Sequence, residues 1–234
     1  MNAAALLALQ DIDSALAAIA NRRPRLPELA AQRAAAAVMA SHHSAIAAVR
    51  ERIAAAEAAI EAAEHAASDI TTKRSRLEAQ LKTVIAPREA EALMSQIATL
   101  NSQRGELDDR ELEALDAQAE AETELGALTM QSPDLEAALD AAEFELQRAT
   151  GVLAAEETEL LERRPAATAG LSAEEIAAYD AARRHHDGVA IARLEGHRCQ
   201  GCHLDLSAAE MDAVKATPEG TLPDCPQCGR FLAR

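Results

Sequence analysis

The feature that most constrains the fold is a run of apolar residues, from Ile46 to Val84, whose spacing alternates between three and four without an error. The run extends over more than five heptads, and apolar residues at the a and d positions of successive heptads form the seam of a coiled coil. Many of its positions are alanine, so each layer is expected to bury less area than leucine would. Only Arg74 is polar among Ile46, Val49, Ile53, Ala56, Ile60, Ala63, Ala67, Ile70, Arg74, Leu77, Leu81 and Val84.

Two shorter registers of the same kind follow later in the chain. They consist of Leu93, Ile97, Leu100 and Leu107, with the polar Arg104 before the last, and of Leu135, Leu139, Ala142, Leu146, Ala149, Leu153, Glu156 and Leu160.

Pro87 separates the long register from the two shorter ones. Proline disfavours helix for the residue before it but is accepted in a first helical turn. We therefore predict a turn near residues 84–87 that joins two antiparallel helices. This turn sets 46–84 against roughly 88–128, and the N-terminal stretch against 134–162. An arm of about 75 residues would span ~110 Å.

Three other segments predict interruptions of the helices. Pro24 and Pro27 in "NRRPRLPEL" predict a break or kink in the N-terminal helix. "SPDLE" from Ser132 has the capping serine and following proline of a helix restart, and "SHHS" from Ser41 interrupts the long register opposite to it. The alternative to a long hairpin is a compact four-helix bundle divided at 24–27, 87 and 133.

Helical periodicity ends after Leu161. "ERRPAATAG" predicts a short linker, and "SAEE" from Ser172 fits a capping box for a short helix through about His186. Five of the nine glycines lie from Gly188 onward, which predicts turns and short strands.

The four cysteines form two pairs, Cys199-x2-Cys202 and Cys225-x2-Cys228, with 22 residues between the pairs. Two intervening residues let one tight turn aim both sulfurs at one point, and two such turns complete a tetrahedron around Zn²⁺. Gly201, Pro226 and Gly229 suit these turns. Short strands are predicted in "GVAIARLEGHRCQGC" and "CGRFLAR", with an inserted turn or helix in "SAAEMDAVKATPEG".

Zinc is favoured over two other uses of paired cysteines. Iron sites of the rubredoxin type sit among several aromatic residues, whereas this region contains only Phe231. A thioredoxin-like redox pair requires one such motif in a βαβ context, which is missing here. Four thiolates close the coordination shell, so one structural Zn²⁺ is predicted, with Cys199, Cys202, Cys225 and Cys228 as its ligands.

The predicted fold class is mainly α. Residues 1–168 are expected to form a long antiparallel coiled-coil hairpin, and 169–234 a short helix followed by a small β zinc ribbon. The chain lacks Trp and has one Tyr and two Phe, so alanine and leucine supply most of its apolar residues, as is typical of long helices and coiled coils.

The sequence shows no feature of an enzyme. No nucleophile–base constellation, phosphate-binding glycine loop or paired-carboxylate motif stands out, and the closed zinc shell leaves no place for an activated water. The histidines, which include the adjacent pairs His42–His43 and His185–His186, are not expected to bind metal. We therefore predict no catalytic residue and no small-molecule substrate.

The net charge of −16 is unevenly distributed. Residues 106–145 contain fourteen acids and one cation, Arg110, whereas 71–88 contain five cations and one acid, Glu78. Residues 183–234 are balanced, with seven of each sign. A protein that binds nucleic acid along its whole length should not be this acidic. Two interpretations of the basic cluster remain open. One is a local contact with RNA or DNA at the hairpin turn, with Lys73, Arg74, Arg76, Lys82 and Arg88 as candidate residues, and the other is a solvated helix end whose charges pair along the hairpin.

The chain contains no run of 18 apolar residues free of charge, so we expect no membrane span. The start, "MNAAALLALQDID", has no basic segment and is not expected to be a secretory signal. A cytoplasmic location is predicted, where paired thiols stay reduced and available to metal.

Four stretches of the chain resemble the bacterial C4-type zinc-ribbon domain family: "LLALQDIDSALAAI", "RLPEL", "REAEALMSQI" and "CQGC…CPQCGRFL". Ala90 stands where the family has an aromatic residue. The resemblance implies an elongated coiled-coil hairpin with a ribbon at its far end. It also implies a binding function, with nucleic acid and transcription-related proteins as partners.

Two hypotheses on function remain open at this stage. The first is a nucleic-acid-associated or transcription-related regulator, supported by the ribbon and the basic turn. The second is a protein-binding adaptor or chaperone-like scaffold that acts through the coiled coil without touching nucleic acid, supported by the acidic arm and the long seam.

Overall fold

The computed structural model describes residues 1–218 and 220–234, and Glu219, within the predicted insertion, lies outside the described residues. Its elements are α1 (Ala3–Arg22), a short 3-10 helix (Arg23–Arg25), α2 (Pro27–Leu81), α3 (Pro87–Thr168), α4 (Ala173–His185), β1 (Ile191–Glu195), β2 (Arg198–Cys199), α5 (Ala208–Ala216) and β3 (Phe231–Ala233). This is the mainly α fold with a small C-terminal sheet that the sequence predicts.

The chain divides into two compact units. One consists of Arg33–Ala141, and the other combines Met1–Gln32 with Ala142–Arg234.

The unit Arg33–Ala141 is an antiparallel helical hairpin. Three contacts between α2 and α3 show its direction, because residue numbers fall along one helix as they rise along the other: Arg74 with Asn101, Arg52 with Glu124, and His42 with Ser132. Residues 82–86 connect the two helices, and the amides of Thr83 and Val84 donate to the carbonyl of Gln80 to close the last turn of α2.

The long heptad register is the seam of this hairpin. All of its positions from Ile46 to Val84 are buried or half-buried, with Ala56, Ala63 and Ala67 among the buried ones. On α3 the seam also continues through the region between the two shorter registers, where Ala114 and Ala121 are buried. The sequence pattern did not reveal this middle part because polar residues occupy several of its positions.

The prediction of a helix restart at Ser132 is wrong, since α3 is continuous from Pro87 to Thr168. The Ser132 hydroxyl lies 3.0 Å from His42 Nε2 on α2 and does not cap a helix. Pro133 removes its own N–H from the helical ladder and its ring crowds the carbonyl four residues earlier, and contacts across the seam offset this cost. The interruption expected at Ser41 is also missing, because α2 is continuous there and His42 is buried in the seam.

The linker predicted at "ERRPAATAG" is also mostly helical, because α3 ends only at Thr168. Arg164 is anchored to Asp13, and Ala167 packs against a cluster that contains Leu6, Leu9 and Tyr179. Tertiary contacts therefore extend the helix past Pro165.

In the other unit, α1 packs on the C-terminal part of α3. Ile19 and Leu26 form a cluster with Leu153, which Leu146 and Leu160 flank. The break predicted from the prolines is present: α1 ends at Arg22, and α2 begins at Pro27.

The C-terminal sheet has the strand order β2-β1-β3. Strand β1 is antiparallel to β2 and parallel to β3, with Ile191 opposite Phe231. The capping box predicted at Ser172 is present at the start of α4, and Ser207 with Glu210 forms a second one at the start of α5, inside the predicted insertion. The core of this part is formed by Tyr179, Leu6, Leu9 and Ile191, all fully buried.

The helical stretch Ala3–Leu81 is apolar enough, by length and composition, to cross a membrane, with a mean hydropathy of 1.5 in an 18-residue window. A packed core helix meets the same criterion, so this is weak evidence for a span. Within this stretch, Leu6 and Leu9 are fully buried in protein.

Candidate functional site

The first cysteine turn lies directly after β2. Cys199 is held there by two backbone hydrogen bonds: its amide donates to the Leu204 carbonyl at 3.1 Å, and its carbonyl accepts from the His203 amide at 2.8 Å. The Gly201 amide donates to Cys199 Sγ at 3.4 Å. The turn thus closes on itself and presents the sulfurs of Cys199 and Cys202 to one side.

The second cysteine turn lies directly before β3 and is built in the same way. The Gly229 amide donates to the Cys225 carbonyl at 2.8 Å, and the Cys225 amide donates to the Arg230 carbonyl at 2.8 Å. Because β3 pairs with β1, and β1 pairs with β2, the sheet brings the two turns together.

The four cysteine sulfurs lie within 4.8 Å of one another, and Cys202 Sγ is 3.9 Å from Cys225 Sγ. A regular tetrahedron with Zn–S bonds of about 2.3 Å has edges of ~3.8 Å, so the arrangement fits a tetrahedral zinc ion. Cys199 and Cys225 are buried, and the other two are half-buried. The site can hold one metal ion, whose four coordination positions would all be filled by cysteine sulfurs, so no position is left for a substrate.

The pKa values of the thiols reflect this environment. Burial raises the pKa of Cys225 to about 12 and also raises that of Cys202. Burial acts on Cys228 too, but hydrogen bonds from the backbone and side chain of Arg230 and from the thiols of Cys225 and Cys202 together outweigh it and lower the pKa of Cys228 to about 7. A bound divalent cation favours the thiolate form of all four, because metal ligation requires deprotonated sulfur.

Gly201 is required at its position by close packing. A Cβ added there would lie 2.8 Å from Arg230 Cδ and 2.9 Å from Ala192 Cβ, closer than carbon atoms in proteins approach. The Arg230 side chain is itself fixed, because its Nε donates to the Val189 carbonyl at 3.0 Å and its Nη2 to the His186 carbonyl at 3.2 Å. Arg230 therefore links the second cysteine turn to the segment after α4.

Comparison with known families identifies both parts of the chain. The CT398-like coiled coil hairpin domain matches residues 9–187, which is more than half of the chain. The chain belongs to the CT398-like coiled-coil hairpin family. The C4-type zinc ribbon domain matches residues 198–232, and with the four convergent sulfurs this match assigns one structural Zn²⁺ to the ribbon of this CT398-like protein.

Relatives of this CT398-like chain extend over nearly its whole length. An uncharacterized protein of Mycobacterium tuberculosis is 29% identical over 237 residues, covering 98% of this chain and 94% of the relative. Among solved structures, CT398 from Chlamydia trachomatis has a TM-score of 0.83 at 20% identity and covers 97% of this chain and 95% of its own.

Two further structures show the same fold. A protein from Mycobacterium smegmatis has a TM-score of 0.79 at 19% identity, covering 100% of this chain and 99% of that one. The HP0958 protein from Helicobacter pylori has a TM-score of 0.61 at 14% identity, covering 97% and 94%.

The structure separates the five predicted basic residues into two groups. Arg74 is a half-buried seam residue whose Nε lies 3.3 Å from Glu78 Oε1 and whose Nη1 donates to Asn101 Oδ1 at 3.2 Å. Over the described ranges 1–218 and 220–234, no salt bridge involves the other four, Lys73, Arg76, Lys82 and Arg88.

Lys73 and Arg76 line a groove of about 530 Å³ on one side of the CT398-like hairpin. The seam residues Leu77 and Leu100 contribute its apolar part, and none of the described residues that line it carries a carboxylate. Besides the two cations, its polar lining consists of amide and hydroxyl side chains, namely Gln80, Gln96, Thr99 and Gln103.

Sequence reasoning missed a buried polar cluster centred on Asp13, whose side chain is 3% exposed. Its carboxylate accepts hydrogen bonds from Arg164 and from the Tyr179 hydroxyl, the latter at 3.2 Å, and Arg183 donates to the Asp13 carbonyl at 2.9 Å. Beside it, Gln10 donates to the Ile191 carbonyl and accepts from the Ile191 amide, both at 2.8 Å. The signal was available, because Gln10 and Asp13 share the helix face of the buried Leu6 and Leu9.

Proposed function

We propose that this protein is a non-enzymatic binding protein that associates with nucleic acid through the basic end of its coiled-coil hairpin. The observation that carries the proposal is the groove beside Lys73 and Arg76. In the part of the chain that the structure describes, it combines these two cations, which form no salt bridge, with four amide or hydroxyl side chains and no carboxylate. Cations contact phosphates, and amide and hydroxyl groups donate to phosphate and sugar oxygens. A transcription-related or other regulatory role would follow from such binding.

The charge distribution restricts where nucleic acid can bind. The chain carries a net charge of −16, so most of its surface repels a polyanion. Lys82 lies in the connection between α2 and α3, and Arg88 follows it. Neither forms a salt bridge with the described residues, so both add to the positive charge at this end of the hairpin. The expected interface is therefore local and strongly dependent on salt.

The zinc ribbon supports this function structurally. Four thiolates fill the coordination shell, so the metal neither binds substrate nor activates water. Residues 188–234 contain few large apolar side chains, and the metal supplies the cross-link that a core this small needs. Zinc held by four thiolates also fits a reducing compartment, so we propose a cytoplasmic location.

Fluorescence anisotropy with labelled RNA, single-stranded DNA and duplex DNA tests the proposal. The test variant is Lys73→Glu/Arg76→Glu/Lys82→Glu. The matched control is Arg25→Glu/Arg33→Glu/Arg50→Glu, which changes the net charge equally at exposed positions away from the turn. Only the test variant should lose affinity, by about tenfold or more, together with a smaller salt slope.

Equal binding by both variants, or no binding by the unmodified protein at low salt, would contradict nucleic-acid binding at this end of the hairpin. The adaptor function would then be favoured. It is supported by large apolar side chains exposed along the acidic part of α3, which include Leu112 at 60% and Met130 at 82% exposure.

A further inference from the structure

The connection between α2 and α3 exposes a large apolar side chain. Ile85 is 96% exposed and lies between the unpaired cations Lys82 and Arg88. A groove of about 590 Å³ adjoins it, lined in part by Val84 and Leu93. Glu89 also lines this groove, but within residues 82–88 the only charged side chains are the two cations. An isoleucine this exposed between two cations has the composition of a contact surface for an acidic partner.

The same unit presents a surface of opposite charge. Residues 106–124 contain nine carboxylates and one cation, Arg110. Two of the nine are paired, Asp108 with Arg104 and Glu124 with Arg52; in the described part of the chain, the other seven form no salt bridge. Two apolar side chains are exposed among them, Leu112 at 60% and Leu115 at 42%.

We propose that the end of the hairpin, residues 82–88, docks onto residues 106–124 of a second copy of this chain. The two surfaces are complementary in charge, and both expose apolar side chains that the contact would bury. Every copy carries both surfaces, so a two-fold arrangement makes the same contact twice and closes as a dimer.

The spacing of the two surfaces along α3 suits this arrangement. Pro87 and residue 115, the centre of the acidic stretch, are 28 positions apart, which corresponds to ~42 Å of helix. Two hairpins that overlap in opposite directions by this length bring each turn onto the acidic stretch of the other. Gln96 and Gln103 lie between these points, so the groove of Lys73 and Arg76 falls within the overlap.

Self-association and nucleic-acid binding would then use the same end of the hairpin and exclude each other. This consequence rests on the proposed function, whereas the self-association does not. The acidic stretch of the second copy would occupy the place of the nucleic-acid backbone.

Sedimentation velocity of the zinc-loaded full chain, over a wide concentration range, tests the dimer. We expect a reversible monomer–dimer equilibrium that shifts toward monomer as salt increases, because the contact pairs opposite charges. The direction of this salt effect distinguishes the specific contact from general repulsion. If salt only screened the repulsion between two chains of net charge −16, the equilibrium would shift toward dimer. Monomer at all concentrations, or stronger association with salt, would overturn the proposal.

A charge exchange makes the test specific. The tip variant is Lys82→Glu/Arg88→Glu. The acidic-stretch variant is Glu106→Lys/Asp109→Lys/Glu113→Lys/Asp116→Lys/Glu120→Lys, which leaves four acids and six cations in residues 106–124. All of these positions are exposed. Each variant alone should dimerise about tenfold more weakly or worse. A mixture of the two should form a heterodimer, because both of its contacts again pair opposite charges. Failure of the mixture to associate, with both variants folded by circular dichroism, would rule out this pairing of surfaces.

Ile85→Ser distinguishes self-association from nucleic-acid binding, because it removes the exposed apolar side chain and leaves every cation in place. We expect it to weaken self-association about tenfold while leaving the affinity for labelled RNA and DNA in dilute, monomeric protein unchanged. Unchanged self-association in this variant would contradict the docking of residues 82–88. Dimerisation of the unmodified protein without any binding of RNA or DNA at low salt would contradict the proposed function and not the dimer.

Discussion

Asp13 Oδ1 lies 2.9 Å from Arg164 Nε, although 151 positions separate the two residues in the chain. The Tyr179 hydroxyl donates to the other oxygen of the same carboxylate, so one buried acid connects α1, α3 and α4. One turn away on α1, the Gln10 side chain binds the backbone of Ile191 in β1. The same part of α1 therefore also holds the first strand of the ribbon sheet.

We expect Asp13→Asn to lower the free energy of unfolding by about 2–3 kcal/mol. Breaking a fully buried ion pair costs about 3–5 kcal/mol, but Arg164 here is 34% exposed and can regain water. Asp11→Asn, at an exposed position of the same helix, should change the free energy by less than about 0.5 kcal/mol. Urea denaturation followed by circular dichroism compares the two, and equal effects would contradict a specific role for Asp13.

The pH dependence of stability should reveal Tyr179. Burial, and then the neighbouring Asp13 charge, raise the pKa of Tyr179 above its usual value. The folded state therefore holds the phenolic proton more tightly than the unfolded state, whose tyrosine pKa is about 10. This contribution to stability is complete below about pH 10 and is lost as pH rises toward the folded pKa.

Two measurements check the Tyr179 prediction. Because the chain has one tyrosine, the tyrosinate absorbance reports this group alone, and it should appear above the normal range in folded protein. Tyr179→Phe should lose stability less steeply than the unmodified protein above pH ~10. Titration of the folded protein at the pKa of free tyrosine would show that the hydroxyl is not buried as described.

Removal of zinc should unfold the ribbon and spare the helices. We expect one zinc per chain by metal analysis. After chelation, hydrogen exchange should become fast in residues 188–234, while the helical circular dichroism of the coiled coil is largely retained, because the seam does not involve the metal. Iron in the purified protein, or a ribbon that keeps its protection without metal, would be the contrary result.

Gly201→Ala should weaken zinc binding by about tenfold or more, because the added methyl group displaces the Arg230 side chain and β1 at the first cysteine turn. Gly151→Ala is the control, since a Cβ there has no described neighbour within 4 Å. Within helix α3 this control should raise stability by about 0.5–1 kcal/mol. Competition with a chromogenic chelator measures the affinity, and an unchanged value for Gly201→Ala would contradict the packing constraint.

His42 and Ser132, the hydrogen-bonded pair in the seam, should have coupled effects on the free energy of unfolding. Ser132→Ala removes the partner of His42, which is 7% exposed, and should cost about 1 kcal/mol. His42→Leu combined with Ser132→Ala should be nearly neutral or stabilising, since both members of the pair become apolar. Thermal unfolding of the single and double variants gives the coupling between the two positions. Additive effects would show that the hydrogen bond contributes nothing.

Local patterns in the sequence determined the element types, the hairpin and the metal site. The spacing from Ile46 to Val84 repeats every seven residues, so it specifies a helix and its buried face together. The cysteine spacing and the glycines beside it specify two metal-binding turns, because such a turn depends only on neighbouring residues. The capping box at Ser172 and the break at Pro24 and Pro27 are local for the same reason.

Contacts between distant residues decided the rest. α3 continues past Pro133 and Pro165 because partners from other helices, His42 in one place and Asp13 in the other, hold residues next to each proline. The helix pattern around Asp13 indicates that it is buried but not which residues pair with it, since Arg164, Tyr179 and Arg183 come from two other helices. Propensity and periodicity describe a residue and its near neighbours, whereas burial and ion pairing depend on which elements the chain brings together.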